Sequence, residues 1–87
     1  MADLHLPTTL APLFVGLPRV VDVEAATVRE AIECLEGQWP GMRDRLCEAG
    51  PLLRGHIHVY VDKERATLDT ALDSRSRVDV IAAISGG

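Results

Sequence analysis

The stretch VDVIAAISGG occupies residues 78–87 of this 87-residue sequence. Its first half, residues 78–81, is rich in β-branched side chains and predicts a short strand. Its second half consists of small residues apart from Ile84, and its last two positions are Gly86 and Gly87. We therefore expect a folded domain over residues 1–82, followed by a flexible tail over residues 83–87.

The two glycines suggest what such a tail can do. Glycine lets a backbone pass through a narrow channel and approach another molecule closely. The segment 83–87, fully extended, reaches at most about 17 Å, which would carry the Gly87 carboxylate well away from the domain. A carboxylate presented in this way can attack a nucleotide phosphate to give an acyl-adenylate, whose acyl carbon then accepts sulfur or an amine. A flexible end or a cloning remnant is the alternative interpretation.

The composition limits the classes of function. Hydrophobic residues make up 47% of the chain, which predicts one small globular domain rather than disorder. The net charge of −4 disfavours nucleic acid and anionic membranes as partners and favours a basic protein surface. Residues 1–7 lack the basic region and apolar core of a signal peptide, and no apolar run reaches the length of a membrane span. We expect a cytoplasmic monomer.

Two short strands are expected near the N-terminus. Residues 3–6 alternate polar and apolar side chains, with Leu4 and Leu6 facing inward, and Pro7 ends this strand. Residues 19–23 form the second strand, which precedes an acidic turn.

The connection between these strands, residues 8–17, is long for a hairpin. It places three apolar side chains at helical spacing, namely Leu10, Leu13 and Phe14. They either fold back onto the core or form an exposed patch that contacts a partner. Under the second alternative, Phe14 is a candidate partner-binding residue.

A helix is predicted to begin after Thr27, because TVRE at residues 27–30 matches the capping-box pattern. Apolar residues then recur at helical spacing and form one stripe: Val28, Ala31, Ile32, Leu35 and Trp39. Pro40 and Gly41 end the helix, and residues 42–48 predict a second short helical turn. The other face of the main helix carries three glutamates that we interpret as solvated: Glu30, Glu33 and Glu36.

Residues 56–61, with the sequence HIHVYV, alternate strictly and predict a strand with one apolar face. Its polar face carries His56 and His58, a pair that lacks an apparent third ligand, so we expect no metal site. Residues 62–65 predict a charged turn. Cys34 and Cys47 show no metal-ligand spacing. Cys34 adjoins the apolar stripe and predicts a small buried side chain, and Cys47 has no visible activator.

The predicted order is strand, strand, helix, strand, short element and strand. Two antiparallel strands followed by a helical crossover indicate a single sheet with the helix on one face. The fold class is therefore α+β, a roll in which one main helix covers a mixed sheet. The sequence contains no glycine-rich phosphate loop, so any chemistry is expected at the terminal carboxylate and in partner enzymes.

The order of these elements, with four sequence segments, resembles the MoaD/ThiS family of ubiquitin-like β-grasp sulfur carriers. The segments are ATVREAI at 26–32 continuing to WPGM at 39–42, the valine-rich strand, LDTAL at 68–72 and the terminal Gly86-Gly87. The resemblance covers nearly the whole chain. LPTTL at 6–10 and IHVYVD at 57–62 are most similar to the branch that serves cysteine biosynthesis.

The resemblance implies a carrier rather than an enzyme. An E1-like enzyme would use ATP to adenylate Gly87, and sulfur would then replace the adenylate to give a thiocarboxylate. Residues 83–86, which are Ala83, Ile84, Ser85 and Gly86, would insert into partner enzymes. In the cysteine branch the acceptor would be a pyridoxal-phosphate (PLP)-dependent synthase, and a metalloprotease would trim the adduct. The carrier itself would bind no cofactor.

Two departures from the family pattern bear on the partner more than on the carrier role. The family often has a proline shortly before the two glycines, where this chain has Ala82, Ala83 and Ile84. The Gly-Asp turn before the last strand is replaced by SRSR at residues 74–77. Four alternatives stay open: a molybdopterin-synthase small subunit, a thiazole-pathway carrier, a ubiquitin-like modifier, and an interaction domain whose glycines are incidental.

Overall fold

A mixed β-sheet and two helices form the part of the chain that the structure, a computed structural model, describes: residues 1–48 and 52–82. The strands are β1 (Ala2–His5), β2 (Val20–Val23), β3 (Cys47–Glu48), β4 (Leu52–Leu53), β5 (Ile57–Val61), β6 (Glu64–Ala66) and β7 (Arg77–Ala82). The α-helices are α1 (Val28–Gln38) and α2 (Met42–Leu46), and a 3-10 helix spans Thr8–Leu13.

The main sheet has five strands in the order β2-β1-β7-β5-β6. β1 pairs with β7 in parallel, with Leu4 opposite Val78, and every other pair in this sheet is antiparallel. β7 therefore lies at the centre, between β1 and β5. The predicted α+β roll with a mixed sheet is confirmed.

The core lies between the sheet and the helices. The alternation in β5 puts Ile57, Val59 and Val61 into the core, as predicted, and the apolar stripe of α1 meets them. The largest fully buried side chains are Leu4, Val28, Leu35, Met42, Leu46, Val59 and Val78. Trp39, the last residue of the predicted stripe, is half-buried against this core.

The backbone N–H groups at the start of α1 donate hydrogen bonds to four different groups. Thr27 Oγ1 accepts from Glu30 N–H at 3.2 Å, as the capping box predicts. The Glu30 carboxylate, however, accepts from Ala26 N–H at 2.9 Å, one residue earlier than in the standard motif. The first two helical N–H groups donate to the carbonyls of Thr70 and Leu68. The segment 68–72 therefore anchors the helix to the rest of the domain.

Several predicted boundaries differ from the structure. β1 begins at Ala2 and ends at His5, although Leu6 is still buried, and β2 begins at Val20. The helical turn predicted over residues 42–48 is α2, which ends at Leu46. The last two residues of the predicted turn belong to β3, which pairs with β4.

The predicted charged turn at residues 62–65 is wrong in its second half. Only Asp62 and Lys63 form the turn, with φ of 50° and 73°, and Glu64 already pairs with Val61 in β6. Positive φ at both central residues is the geometry that joins two strands in a tight hairpin. β6 was missed because its sequence is largely charged, as edge strands often are.

The α1 glutamates Glu30 and Glu33 are exposed, as the predicted solvated face requires, but the glutamates of this face also form structural contacts. The Glu36 carboxylate accepts hydrogen bonds from Gly41 N–H at 3.1 Å and Arg43 N–H at 2.8 Å, and so caps the start of α2. These two bonds hold the pKa of Glu36 below its usual value. Glu33 forms an ion pair with Arg43 at 2.7 Å, which raises the pKa of the guanidinium. The glutamates join α1 to the elements beside it.

Candidate functional site

The end of β7 determines where the candidate site begins. Ala82, the last described residue, pairs with Ile57, the first residue of β5. We call this end of the paired strands β5 and β7 the exit end. The predicted site residues Ala83, Ile84, Ser85, Gly86 and Gly87 lie outside the described residues, and so does the predicted tail over residues 83–87.

Phe14, the remaining predicted site residue, follows the 3-10 helix. It is half-buried and packs against the core, and its Cε1 lies 3.7 Å from the position that a Cβ on Gly41 would take. Leu10 is buried, whereas Leu13 is 49% exposed and Val15 is fully exposed. Leu10 and Phe14 therefore fold back onto the core, whereas Leu13 and Val15 are exposed. The role of Phe14 as a partner contact stays a prediction.

The uncovered face of the sheet carries a groove of 450 Å³ that ends beside the exit end. Its lining includes the basic side chains of Arg19, Lys63 and Arg77, together with Tyr60 and Ile81. The Arg77 guanidinium is held by Asp79 at 3.1 Å. Ile81 is 45% exposed, so this groove offers an apolar surface one residue before the end of β7.

A second groove, of 530 Å³, lies on the other side of the exit end. It is lined by Gly41, Asp44, Arg45, Arg54 and His56. The Nε of Arg54 donates to the Asp44 carbonyl at 2.7 Å. This groove was not predicted, because its residues come from two separate segments, α2 with its preceding Gly41 and the segment after β4.

The histidines and cysteines of the described residues do not form a reactive cluster. The Arg65 guanidinium lies within hydrogen-bond distance of His58 Nδ1, at 2.9 Å. Within residues 1–48 and 52–82, no three His, Cys, Asp or Glu side chains are grouped so that they could hold a metal. Burial raises the pKa of the Cys47 thiol, which disfavours the reactive thiolate.

The Asp3 and Asp22 carboxylates face each other across β1 and β2 on the uncovered face. A hydrogen bond from the protonated Asp22 carboxyl to the Asp3 carboxylate and the charge of Asp3 raise the pKa of Asp22. The Asp3–Asp22 pair lies near the start of β7, at the end of the strand opposite to the exit end. It is therefore not part of the candidate site.

None of the helices in the described ranges is long and apolar enough to cross a membrane.

Comparison with known proteins places this geometry in a family. The model of the ThiS family matches residues 13–87. A search by sequence among curated proteins gives no match.

Solved structures of similar proteins support the same assignment. CysO in the Amycolatopsis orientalis BexX/CysO complex has 26% identity and a TM-score of 0.88, with 100% of each chain covered. SAMP1 from Haloferax volcanii has 29% identity and a TM-score of 0.82, over 99% of this chain and 98% of that one.

CysO from Mycobacterium tuberculosis, at 24% identity, supports the fold with a TM-score of 0.86, over 97% of this chain and all of that one. The family match reaches through residue 87 and so includes the two glycines that follow β7. The chain therefore belongs to the ThiS family and has the β-grasp fold of the ubiquitin-like sulfur carriers.

Proposed function

We propose that this protein is a sulfur carrier whose Gly87 carboxylate is adenylated by an E1-like enzyme and converted to a thiocarboxylate. The carrier then delivers its sulfur in biosynthesis, and cysteine is the product that we favour. The carrier is a co-substrate in the cytoplasm, and ATP is consumed by its activating partner. It binds no cofactor or metal of its own.

The observation that carries the proposal is the position of β7. This strand pairs with β1 and β5 and is held to β5 as far as Ala82, five residues before Gly87. The paired sheet therefore extends up to the start of the tail. A five-residue tail reaches at most about 17 Å, enough for Gly87 to enter a partner's active site while the domain stays outside.

The proposed chemistry needs nothing from the domain except a free carboxylate. A Gly87 oxygen attacks the α-phosphorus of ATP, and pyrophosphate leaves. Sulfide (HS⁻) then attacks the acyl carbon, AMP leaves, and loss of a proton gives the thiocarboxylate. To deliver the sulfur, the thiocarboxylate displaces a leaving group from an electrophilic carbon of the acceptor substrate to form a thioester, and water then cleaves the acyl bond of the adduct and restores the Gly87 carboxylate. The acceptor that we propose is a PLP-dependent synthase, with a metalloprotease that trims the adduct.

The cysteine branch is favoured by one structural neighbour. CysO of Amycolatopsis orientalis is crystallised in a complex with BexX, so a carrier of this shape forms a complex with a second protein. Its identity of 26% over both whole chains supports a related use of the tail in this protein.

The first test is an intact mass spectrum of the protein recovered from its own cell. We expect a fraction whose mass is shifted by the exchange of one oxygen for sulfur. A variant with one alanine added after Gly87 should fold normally and show no shift, because the reactive carboxylate then belongs to another residue. If the extended variant is converted without prior trimming, the carrier proposal fails.

A second test examines the width of the path that the tail takes. Gly86→Val should keep the wild-type stability and load or deliver sulfur poorly, because a β-branched side chain widens and stiffens the backbone. Gly37→Ala is a suitable control, since an added Cβ there meets no atom within 4 Å. Wild-type transfer rates for Gly86→Val would show that the tail is not threaded through a narrow channel.

A protein-modifier function is the second candidate, because SAMP1, a small archaeal modifier protein, has 29% identity. Lys63 is the only lysine and lies exposed in the β5–β6 turn, so lysine-linked chains of this protein would need it. We expect Lys63→Arg to keep full sulfur transfer. We also expect reducing, denaturing immunoblots of native extracts to show a single band. A reductant-stable ladder that depends on Gly87 would favour the modifier.

A further inference from the structure

The groove formed by Arg45, Arg54 and His56 has the charge of a docking site for an anion. Its five lining residues include two guanidiniums and one imidazole against the single carboxylate of Asp44. This local excess of positive charge contrasts with the formal charge of −4 for the whole chain. A partner surface with negative charge is therefore attracted to this groove.

The groove is held in shape by backbone contacts. Arg54 N–H donates to the Leu46 carbonyl at 2.9 Å, and the Arg54 carbonyl accepts from Ile57 N–H at 2.9 Å. With the bond from Arg54 Nε to Asp44, these contacts fix Arg54 between α2 and β5. A preorganised cation loses less freedom on binding than a mobile one.

The cations of the groove are available for a partner. Elsewhere, Arg29, Arg43 and Arg77 are each paired with a carboxylate, at distances of 2.6 to 3.1 Å. Among the residues that the structure describes, neither Arg45 nor Arg54 forms an ion pair with a carboxylate. Arg45 is also exposed, so its charge reaches solvent directly.

The groove adjoins the point where the tail begins. His56 immediately precedes Ile57, and Ile57 pairs with Ala82. A protein that takes up residues 83–87 must therefore bring the rim of its entrance close to Arg45, Arg54 and His56. A bound nucleotide would lie near Gly87, at the far end of a tail that can reach at most about 17 Å, whereas the groove adjoins the start of that tail.

We propose that the groove of Arg45, Arg54 and His56 binds carboxylate side chains at the entrance rim of the activating enzyme. This inference rests on the proposed carrier function and adds to it the surface that selects the partner. The activating enzyme meets the tail as an ordinary peptide carboxylate, so the domain surface has to provide the recognition. Charges at the rim of an interface act mainly on the rate of association.

The test measures the rate at which the purified protein gains its mass shift in a desalted extract of its own cell with added ATP and sulfide. Arg45→Glu reverses a charge that makes no described hydrogen bond, and Arg75→Glu is the matched control from the turn before β7. We expect Arg45→Glu to load about tenfold more slowly than wild type at low salt, Arg45→Gln to be intermediate, and Arg75→Glu to match wild type. Thermal melts should be the same for all four proteins.

Salt separates recognition from a folding defect. At roughly 1 M salt the screening length falls to about 3 Å, so the difference between Arg45→Glu and wild type should nearly vanish. The inference is overturned if Arg45→Glu loads like Arg75→Glu at low salt, or if its deficit is unchanged at high salt. If wild type gains no shift that depends on Gly87, the carrier function itself fails, and this inference fails with it.

Discussion

The two faces of the same sheet have different chemistry. On the covered face, β5 places Ile57, Val59 and Val61 under α1, where they are buried. On the open face, the same strand places His58 and Tyr60 beside ionic side chains, and both are half-buried. The covered face should therefore determine stability, and the open face and exit end should determine contacts with partners. This comparison yields four predictions.

The largest effect is expected where the covered face is emptied. Leu35 is fully buried in α1, so Leu35→Ala should lower the free energy of unfolding by about 2–5 kcal/mol, the usual cost of truncating a buried leucine. Denaturant melts measure this value. Gln38→Ala, an exposed position of the same helix, is the control and should change stability by less than about 0.5 kcal/mol. Equal losses in the two variants would contradict the packing described above.

A smaller effect is expected at the edge of the covering layer. Thr27→Ala removes the oxygen that accepts from Glu30 N–H and should cost about 0.5–2 kcal/mol. Thr27→Ser keeps the hydroxyl and should recover most of the loss in the same melts. If serine were no better than alanine, the hydroxyl cap would not be the cause.

The third prediction concerns the charge that holds the helices together. The pKa of Glu36 is lowered in the folded state, so its stabilising contribution is full above about 4.5 and is lost as the pH falls through the lowered folded value. Glu36→Gln should therefore destabilise the protein near neutral pH and have little effect at low pH. Unfolding curves at several pH values measure this slope. A deficit that did not depend on pH would point to lost packing instead.

The smallest effect, with the opposite sign, is expected on the open face. The pKa of Asp22 is raised in the folded state, so ionisation of Asp22 costs folding free energy. This loss of stability is absent below about pH 3.8 and is complete once the pH has risen through the raised folded pKa. Asp22→Asn should make the protein slightly more stable near neutral pH. Asp3→Asn should give a similar gain, and the double variant should gain less than the sum. Additive gains would mean that the two carboxylates do not interact.

The elements predicted best from the sequence are those whose side chains meet the core. The alternation of residues 56–61 and the stripe from Val28 to Leu35 each report directly on burial, so the sheet and its helical cover were predictable. β6 was not, because an edge strand with Glu64 and Arg65 has no apolar period. The capping of α2 by Glu36 was not predictable either, because the N–H groups that donate to Glu36 lie at and after Gly41, where the chain changes direction.

The candidate site divides in the same way. The two glycines were visible because they are an unusual composition next to a strand, whereas Arg45 and Arg54 are ordinary surface residues until the fold brings them together. A single sequence contains no signal for such a juxtaposition. The position of Phe14, half-buried beside Gly41, likewise depends on how the connection folds back.

The parallel pairing of β1 with β7 has a consequence for synthesis of the protein. Asp3 lies opposite Arg77, so β1 cannot pair with β7 until almost the whole chain has been translated. Contacts between such distant positions are slow to form, because a long loop must close before they stabilise anything. A nascent chain that stops before residue 77 leaves both β1 and β5 without their neighbour. A chain that has completed this sheet has therefore been translated at least through β7, the strand that precedes Gly86 and Gly87.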